Sequence, residues 1–377
     1  MRIYILFVFF IVTLLSACGG GGNTVAVGSG SVPAAVPVHN YTQGSPSSAA
    51  SADQTIVAAG SPFLLPYVAP DSTNYSSVTA ASTALNGGQN YIATVDTNAR
   101  SAWQNGWTGK NVKIGIADAF NNNGIIDSHG DWVALVTLSV APEADYSFRD
   151  VLTFSSTLVG LIGNADAAFT YFEQNGYHII NNSWGVERPK RAASGAYTGV
   201  MWSDFDNLVT QTVNAFDPNA PGTAQGLYIL AGGNGGQFCP TRRIENCNWV
   251  AAVSDRIRQA GYPGGTRLIF VGALDDNSNN LASYSYIAGN LKNDFIVAHD
   301  DILAGGDAAG TSFSSPRVAG AAALVKHKFP SLTSAQIKQV LLQTADDLGA
   351  SGVDEIYGHG ALNIMNALSP QGTVVPK

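Results

Sequence analysis

The stretch that decides the fold is Gly310-Thr311-Ser312-Phe313-Ser314-Ser315-Pro316-Arg317-Val318-Ala319-Gly320. A Gly-Thr-Ser turn leads into the small residues Ala319 to Ala323 and then Leu324 and Val325. This pattern predicts a tight turn that delivers Ser312 to the first turn of a helix. The helix is narrow enough to lie buried against other backbone. A serine there sits among unpaired N–H groups at the positive end of the helix macrodipole, which suits a nucleophile whose product carries developing negative charge. The plainer reading of Gly-Thr-Ser is an N-cap on a core helix.

Working outward, apolar β-rich runs recur upstream. They are Val112–Ala117, His178–Asn182, Leu227–Ala231, Leu268–Ala273 and Phe295–Ala298. Helical patterns lie between several of them, at Val133–Val140 and Leu158–Gln174. A short helix, Ser101–Gly106, precedes the first strand and ends at a glycine. Strands that alternate with helices predict an α/β fold with a doubly wound, mainly parallel sheet flanked by helices. Chemistry in such sheets gathers beyond the carboxyl ends of the strands. Polar candidates stand there: Asp118 after the first run, Ser183-Trp184-Gly185 after the second, and Gly232-Gly233-Asn234-Gly235 after the third.

The full string Gly-Thr-Ser-x-Ser-x-Pro-x-Val-Ala-Gly resembles the nucleophile motif of the subtilisin-like serine proteases. The order Asp118, His129, Ser312 is that family's order. His129-Gly130-Asp131-Trp132-Val133-Ala134 resembles its His-Gly-Thr-His-Val-Ala motif, with Asp131-Trp132 in place of Thr-His. The loop from Asp118 to His129 is shorter than the family usually has, which leaves Asp127 as a rival carboxylate. His39, His178, His299, His327 and His359 lack the motif around them. The resemblance implies a nucleophile Ser312, a base His129, an orienting Asp118 and an oxyanion donor Asn234 helped by the Ser312 N–H. It also implies that Ser183, Trp184, Gly185, Gly232 and Gly233 bind the substrate. The Ser-x-Gly edge would pair with extended peptide and wall the primary specificity pocket. Trp184 reads equally well as a core aromatic.

The likeness spans roughly residues 100 to 370. It strengthens after Leu268, where the order of motifs is closest to the peptidase passenger domains of bacterial autotransporters. The chain ends at Lys377, which leaves no translocating β-barrel, so self-secretion by that route is not expected.

At the other end, Arg2 precedes an apolar run, Ile3 to Leu15, too short for an ordinary bilayer span and right for a signal-peptide core. Leu15-Ser16-Ala17-Cys18 resembles a lipobox, which implies cleavage before Cys18 and lipidation of its thiol. Gly19 after the cysteine implies the outer membrane. The expected organisation is a signal peptide (1–17), a flexible Gly/Ser/Ala/Pro tether (18–61), an extension (62–111), a peptidase domain (112–370) and a tail (371–377).

Composition is consistent with this reading. The 377 residues are 45% hydrophobic and 12% charged, enough for one large core. A net charge of −8 with no basic run speaks against a nucleic-acid partner. Three cysteines are too few for a disulfide scaffold, and Cys239 and Cys247 are expected to close one surface loop in an oxidising compartment. The oxygen-rich Asp275–Asn280 loop lacks EF-hand spacing and reads as a solvated turn. Structural calcium therefore has no specific motif behind it, and no cofactor is expected. The leading expectation is an endopeptidase acting on proteins or peptides from a lipid anchor. The second is a non-catalytic surface lipoprotein that uses the same scaffold to bind peptide or protein.

Overall fold

A computed structural model describes residues 97–120, 128–151, 158–185, 226–259, 267–275, 278–300 and 309–370. It also describes short pieces at 36–37, 45, 190–191, 197–198 and 373–374. Cys18, Asp127, Asp276, Asn277, the whole expected signal peptide, the tether apart from residues 36–37 and 45, and residues 62–96 of the extension lie outside the described residues.

In chain order the elements are helix α1 (Thr97–Gln104), strand β1 (Lys113–Asp118), α2 (His129–Val140), β2 (Asp145–Asp150), α3 (Leu158–Gln174) and β3 (Ile179–Asn182). There follow β4 (Leu227–Ala231), α4 (Ile244–Cys247), α5 (Trp249–Gln259), β5 (Leu268–Leu274) and β6 (Phe295–His299). Helices α6 (Thr311–Lys328), α7 (Ser334–Gln343) and α8 (Ile364–Leu368) close the series. The strands form one six-stranded sheet in the order β2-β1-β3-β4-β5-β6. Every neighbouring pair in it is parallel.

All five expected strands are present. The sixth, β2, is an addition to the sequence reading. Its residues Asp145-Tyr146-Ser147-Phe148-Arg149-Asp150 pair residue for residue with β1 on the sheet's edge.

The order of strands explains where a site can form. From β1 the chain steps outward to β2 and then crosses back to β3 on the other side of β1. Crossovers of one hand running in opposite directions place their helices on opposite faces, and a crevice opens between the carboxyl ends of β1 and β3. Side chains follow this two-faced plan. Ile114, Ile116, Ile179, Leu227, Ile229, Ile269, Val271, Ile296 and Ala298 face the core shared with α2, α6 and α7. Ala117 and Ile180 face α3 through Ala168 and Phe172. Leu230, Phe270, Phe295 and Val297 face α4 and α5 through Ile244 and Ala251. Burying each such aliphatic residue contributes about 1.5–3 kcal/mol.

Helices α2 and α6 are buried on nearly all sides. They run in the same direction. His129 meets Phe313 at their starts, with ring centroids 5.6 Å apart. Near the end of α2, a Cβ on Gly320 would stand 2.5 Å from the Val140 Cβ. Only glycine permits so close a crossing.

The stretch expected as a tether touches the domain at two described places. Val36–Pro37 pairs antiparallel with Thr373–Val374. The Ser45 carbonyl lies 3.2 Å from His327 Nε2, near the end of α6. Cys239 and Cys247 are joined in a disulfide. Among the described residues no helix is long and apolar enough to cross a membrane.

Candidate active site

Register places the polar ends of three strands in one row. Ala117 of β1 pairs with Asn182 of β3, and Asn182 pairs with Leu230 of β4. The next residues, Asp118, Ser183 and Ala231, therefore stand side by side at the sheet's carboxyl edge. Beyond this edge α2 and α6 present their N-termini.

His129 is the first residue of α2, and a capping box fixes that start. Ser128 is the N-cap, its Oγ accepts from Asp131 N at 3.3 Å, and Asp131 Oδ2 accepts from Ser128 N at 3.0 Å. Such a cap satisfies two orphan N–H groups at once. The departure Asp131 from the family's Thr thus has a local cause: its carboxylate anchors the turn that carries the imidazole. Position 132 is an apolar residue set against the core beneath.

Asp118 is wholly buried, and its Oδ1 lies 2.6 Å from His129 Nδ1. The same oxygen accepts from Ala119 N at 2.7 Å. The short loop therefore does not prevent the pairing. Oδ2 is buried and has no hydrogen-bond partner among the described residues. Burial pulls the imidazole's pKa down. The charge of Asp118 and its hydrogen bond more than offset this, so the His129 pKa stands above 6.5.

Ser312 is the second residue of α6, and its Oγ donates to the Ser183 carbonyl at 2.9 Å. This joins the nucleophile turn to the end of β3. A second tie lies beneath it. Ser315 Oγ donates to Asn181 Oδ1 at 2.8 Å, and Asn181 Nδ2 donates to Ser183 Oγ at 2.9 Å. Neither role is marked in the sequence, although Ser315 stands inside the Gly310–Gly320 motif and Asn181 inside the His178–Asn182 run.

Asn234 follows β4. Its Oδ1 accepts from Thr311 N and from Thr311 Oγ1, each at 2.9 Å. Thr311 Oγ1 in turn accepts from Gly233 N at 2.9 Å. Two donors on Oδ1 settle which end of the carboxamide is which, and make Nδ2 the donor end beside Gly310. Gly233 has φ 111°, a conformation that side chains rarely adopt. The glycine at 233 is what lets the loop turn Asn234 towards α6.

Two further groups hold the approach to α6. Asp300 Oδ2 accepts from Gly310 N at 2.5 Å and also from the Tyr284 hydroxyl. Their separation from Ser312 in sequence left nothing to find them by.

Trp184 is half-buried, its indole N–H donates to the Ala117 carbonyl at 3.1 Å, and it packs with the cluster on the α3 face. Its ring covers the carboxyl end of β1. Gly185 and Gly232 face each other across the end of the sheet, with Asn248 between them. Asn248 Nδ2 donates to Gly232 O at 3.0 Å, and a Cβ on Gly185 would stand 3.6 Å from the same nitrogen. Of the other histidines, His178 Nδ1 accepts from Lys113 N, at the opposite edge of the sheet, and His327 lies near the far end of α6. Among the described residues no group of three His, Cys, Asp or Glu stands where it could hold a metal ion.

A doubly wound parallel sheet that carries Asp, His and Ser in that order at its carboxyl edge is the architecture of the subtilisin-like serine peptidases. The subtilase family (peptidase family S8) matches residues 113–360, and the chain belongs to it. Among relatives, subtilisin of Bacillus pumilus is 27% identical over 283 residues, covering 70% of this chain and 92% of the subtilisin. Serotype-specific antigen 1 of Mannheimia haemolytica is 28% identical over 212 residues, covering 52% of this chain and 21% of the antigen's length. Among solved structures, the prenylagaramide maturation protease PagA aligns with a TM-score of 0.49 at 18% identity, covering 73% of this chain and 98% of PagA.

Proposed function

We propose that this chain is a serine endopeptidase that cuts extended peptide segments through an acyl-enzyme on Ser312. The observation that carries the reading is the Asp118–His129 pair, 2.6 Å apart, at the same sheet edge as Ser312 and Asn234. Peptide pairs with the Ser183–Gly185 edge as an added strand. Ser312 Oγ then leaves the Ser183 carbonyl and gives its proton to His129 Nε2. Asp118 holds the imidazole by Nδ1 and stabilises the cation that forms. Asn234 Nδ2 and the Ser312 N–H donate to the oxyanion. His129 returns the proton to the leaving amine, and water completes the cycle. The chain's own side-chain and backbone groups supply every step of this reading, which calls for no cofactor. An imidazole pKa above 6.5 suits a base that works near neutrality.

The binding-scaffold alternative draws on the Ser312 hydroxyl resting on the Ser183 carbonyl. A fluorescent fluorophosphonate decides between the two, because it reacts only with an activated serine. Labelling of the full chain, lost in Ser312→Ala and His129→Ala, is expected. A folded wild-type chain that stays unlabelled would refute the peptidase reading and favour the scaffold.

The N-terminal motifs add location. The reading is that the chain is exported, lipidated on Cys18 and held at the outer membrane.

A further inference from the structure

An amide group that both binds the nucleophile's substrate and sets its identity has to lie between the two segments flanking the scissile carbonyl. That carbonyl must be reached by Ser312, which is tied to Ser183 at the end of β3, and by Asn234 at the end of β4. The side chain on the acyl side of the scissile bond therefore drops between Ser183–Gly185 and Gly232–Asn234. What stands in that gap is Asn248. A single nitrogen, Nδ2, is 3.0 Å from the Gly232 carbonyl and 3.6 Å from the point where a Gly185 Cβ would be. At this level no carbon chain passes between the two glycines.

Asn248 is also held in place from every direction. Its Oδ1 accepts from Ala251 N at 3.1 Å, which makes it the cap of α5. Its own N–H donates to Ile244 O at 2.8 Å, and its neighbour Cys247 is fixed by the disulfide to Cys239. It is 3% exposed. A floor so braced does not swing away to admit a larger group.

We propose, on the peptidase reading above, that Asn248 is the specificity-determining residue of this site. Its carboxamide floors a shallow primary pocket, which selects peptides with glycine, alanine or serine before the cut and rejects leucine and aromatic residues. The disulfide loop between Cys239 and Cys247 then has a functional consequence, since it ends one residue before the floor.

The test uses the full chain and two probes: a proteome-derived peptide library, and the p-nitroanilides of succinyl-Ala-Ala-Pro-Ala and succinyl-Ala-Ala-Pro-Phe. The wild type is expected to cut library peptides after small residues, and to favour the Ala over the Phe substrate by about tenfold or more in kcat/KM. Asn248→Ser keeps an oxygen to cap α5 and removes the amide, so the Ala-to-Phe ratio is expected to fall about tenfold. Asn248→Gly, also tolerated at a helix start, is the second variant and should move the ratio the same way. A merely structural role would slow both substrates together and leave the ratio where it was. A wild type that prefers Phe, or a ratio unmoved in folded variants, would each overturn the floor while the peptidase reading stands. Absence of both cleavage and fluorophosphonate labelling would sink the peptidase reading itself, and this proposal with it.

Discussion

His129 lies under two opposing influences, and their balance sets how the site responds to pH. Burial disfavours the imidazolium and lowers its pKa, while Asp118 favours the cation and raises it, leaving the net above 6.5. The neutral base needed for proton abstraction is lost as pH falls through that value. The acid limb of kcat/KM, or of the rate of fluorophosphonate inactivation, is therefore expected to lie above pH 6.5. In Asp118→Asn only the burial remains, so the limb should move below pH 6.5, and the rate at the plateau should fall by about 10⁴ because the wrong tautomer is favoured. Limbs that coincide in the two proteins would show that Asp118 does not tune this histidine. At this scale the sequence marked Ser312, His129 and Asn234 by their motifs, and the structure places all three at the carboxyl end of the sheet. The sequence did not separate Asp118 from Asp127, because the choice depends on a 2.6 Å contact and not on spacing. Nor did it reveal Asn248 or Asp300, whose partners lie 16 and 10 residues away through folds in the chain.

Elements turn those residues into a site, and the pair α2 and α6 matters most. Both begin at the sheet's carboxyl edge, one with His129 and the other with Ser312 next to its start. The distance between the two helices is thus the distance between base and nucleophile. Gly320 sets it near the end of α2, where an added Cβ would come within 2.5 Å of Val140 Cβ and within 3.2 Å of the Thr137 carbonyl. Backbone on one side and a β-branched residue on the other leave little room to yield. Gly320→Ala is expected to cost about 1–3 kcal/mol by overpacking, a fall of roughly 3–10 °C in Tm, and to lower kcat as the helices part. A calorimetric Tm equal to that of the wild type would show that the helices slide past each other freely. This crossing also explains what periodicity could and could not supply. A helix buried all round has no polar face, so α6 was found by its small residues and its motif, not by an amphipathic stripe. Strand β2 was missed for the converse reason. Its apolar Tyr146 and Phe148 alternate with polar Asp145, Ser147 and Arg149, although Ser147 is buried with them, whereas a continuous apolar run such as β5 stands out in the sequence.

Across the whole molecule, the sheet's direction gives the protein two unlike ends. Substrate chemistry collects at the carboxyl edge, because every strand of the sheet is parallel and the winding reverses between β1 and β3. The fold class was legible for this reason: alternating strand and helix patterns leave few other topologies. Near the opposite end of α6, about 24 Å along the helix from its first residue, His327 meets the Ser45 carbonyl. The N-terminal segment thus reaches the domain on the side away from Ser312. If Cys18 carries the lipid, as proposed above, the segment that bears it meets the domain at Ser45, away from Ser312. Cys18→Ala is then expected to move the chain from the membrane pellet to the soluble fraction and to abolish metabolic labelling with an alkynyl palmitate. Fluorophosphonate labelling of Ser312 should persist at the wild-type rate, since Ser45 meets the domain about a helix length from Ser312. A Cys18→Ala chain that still sediments with membranes would refute the anchor, and one that loses its labelling in solution would refute the separation of the two ends.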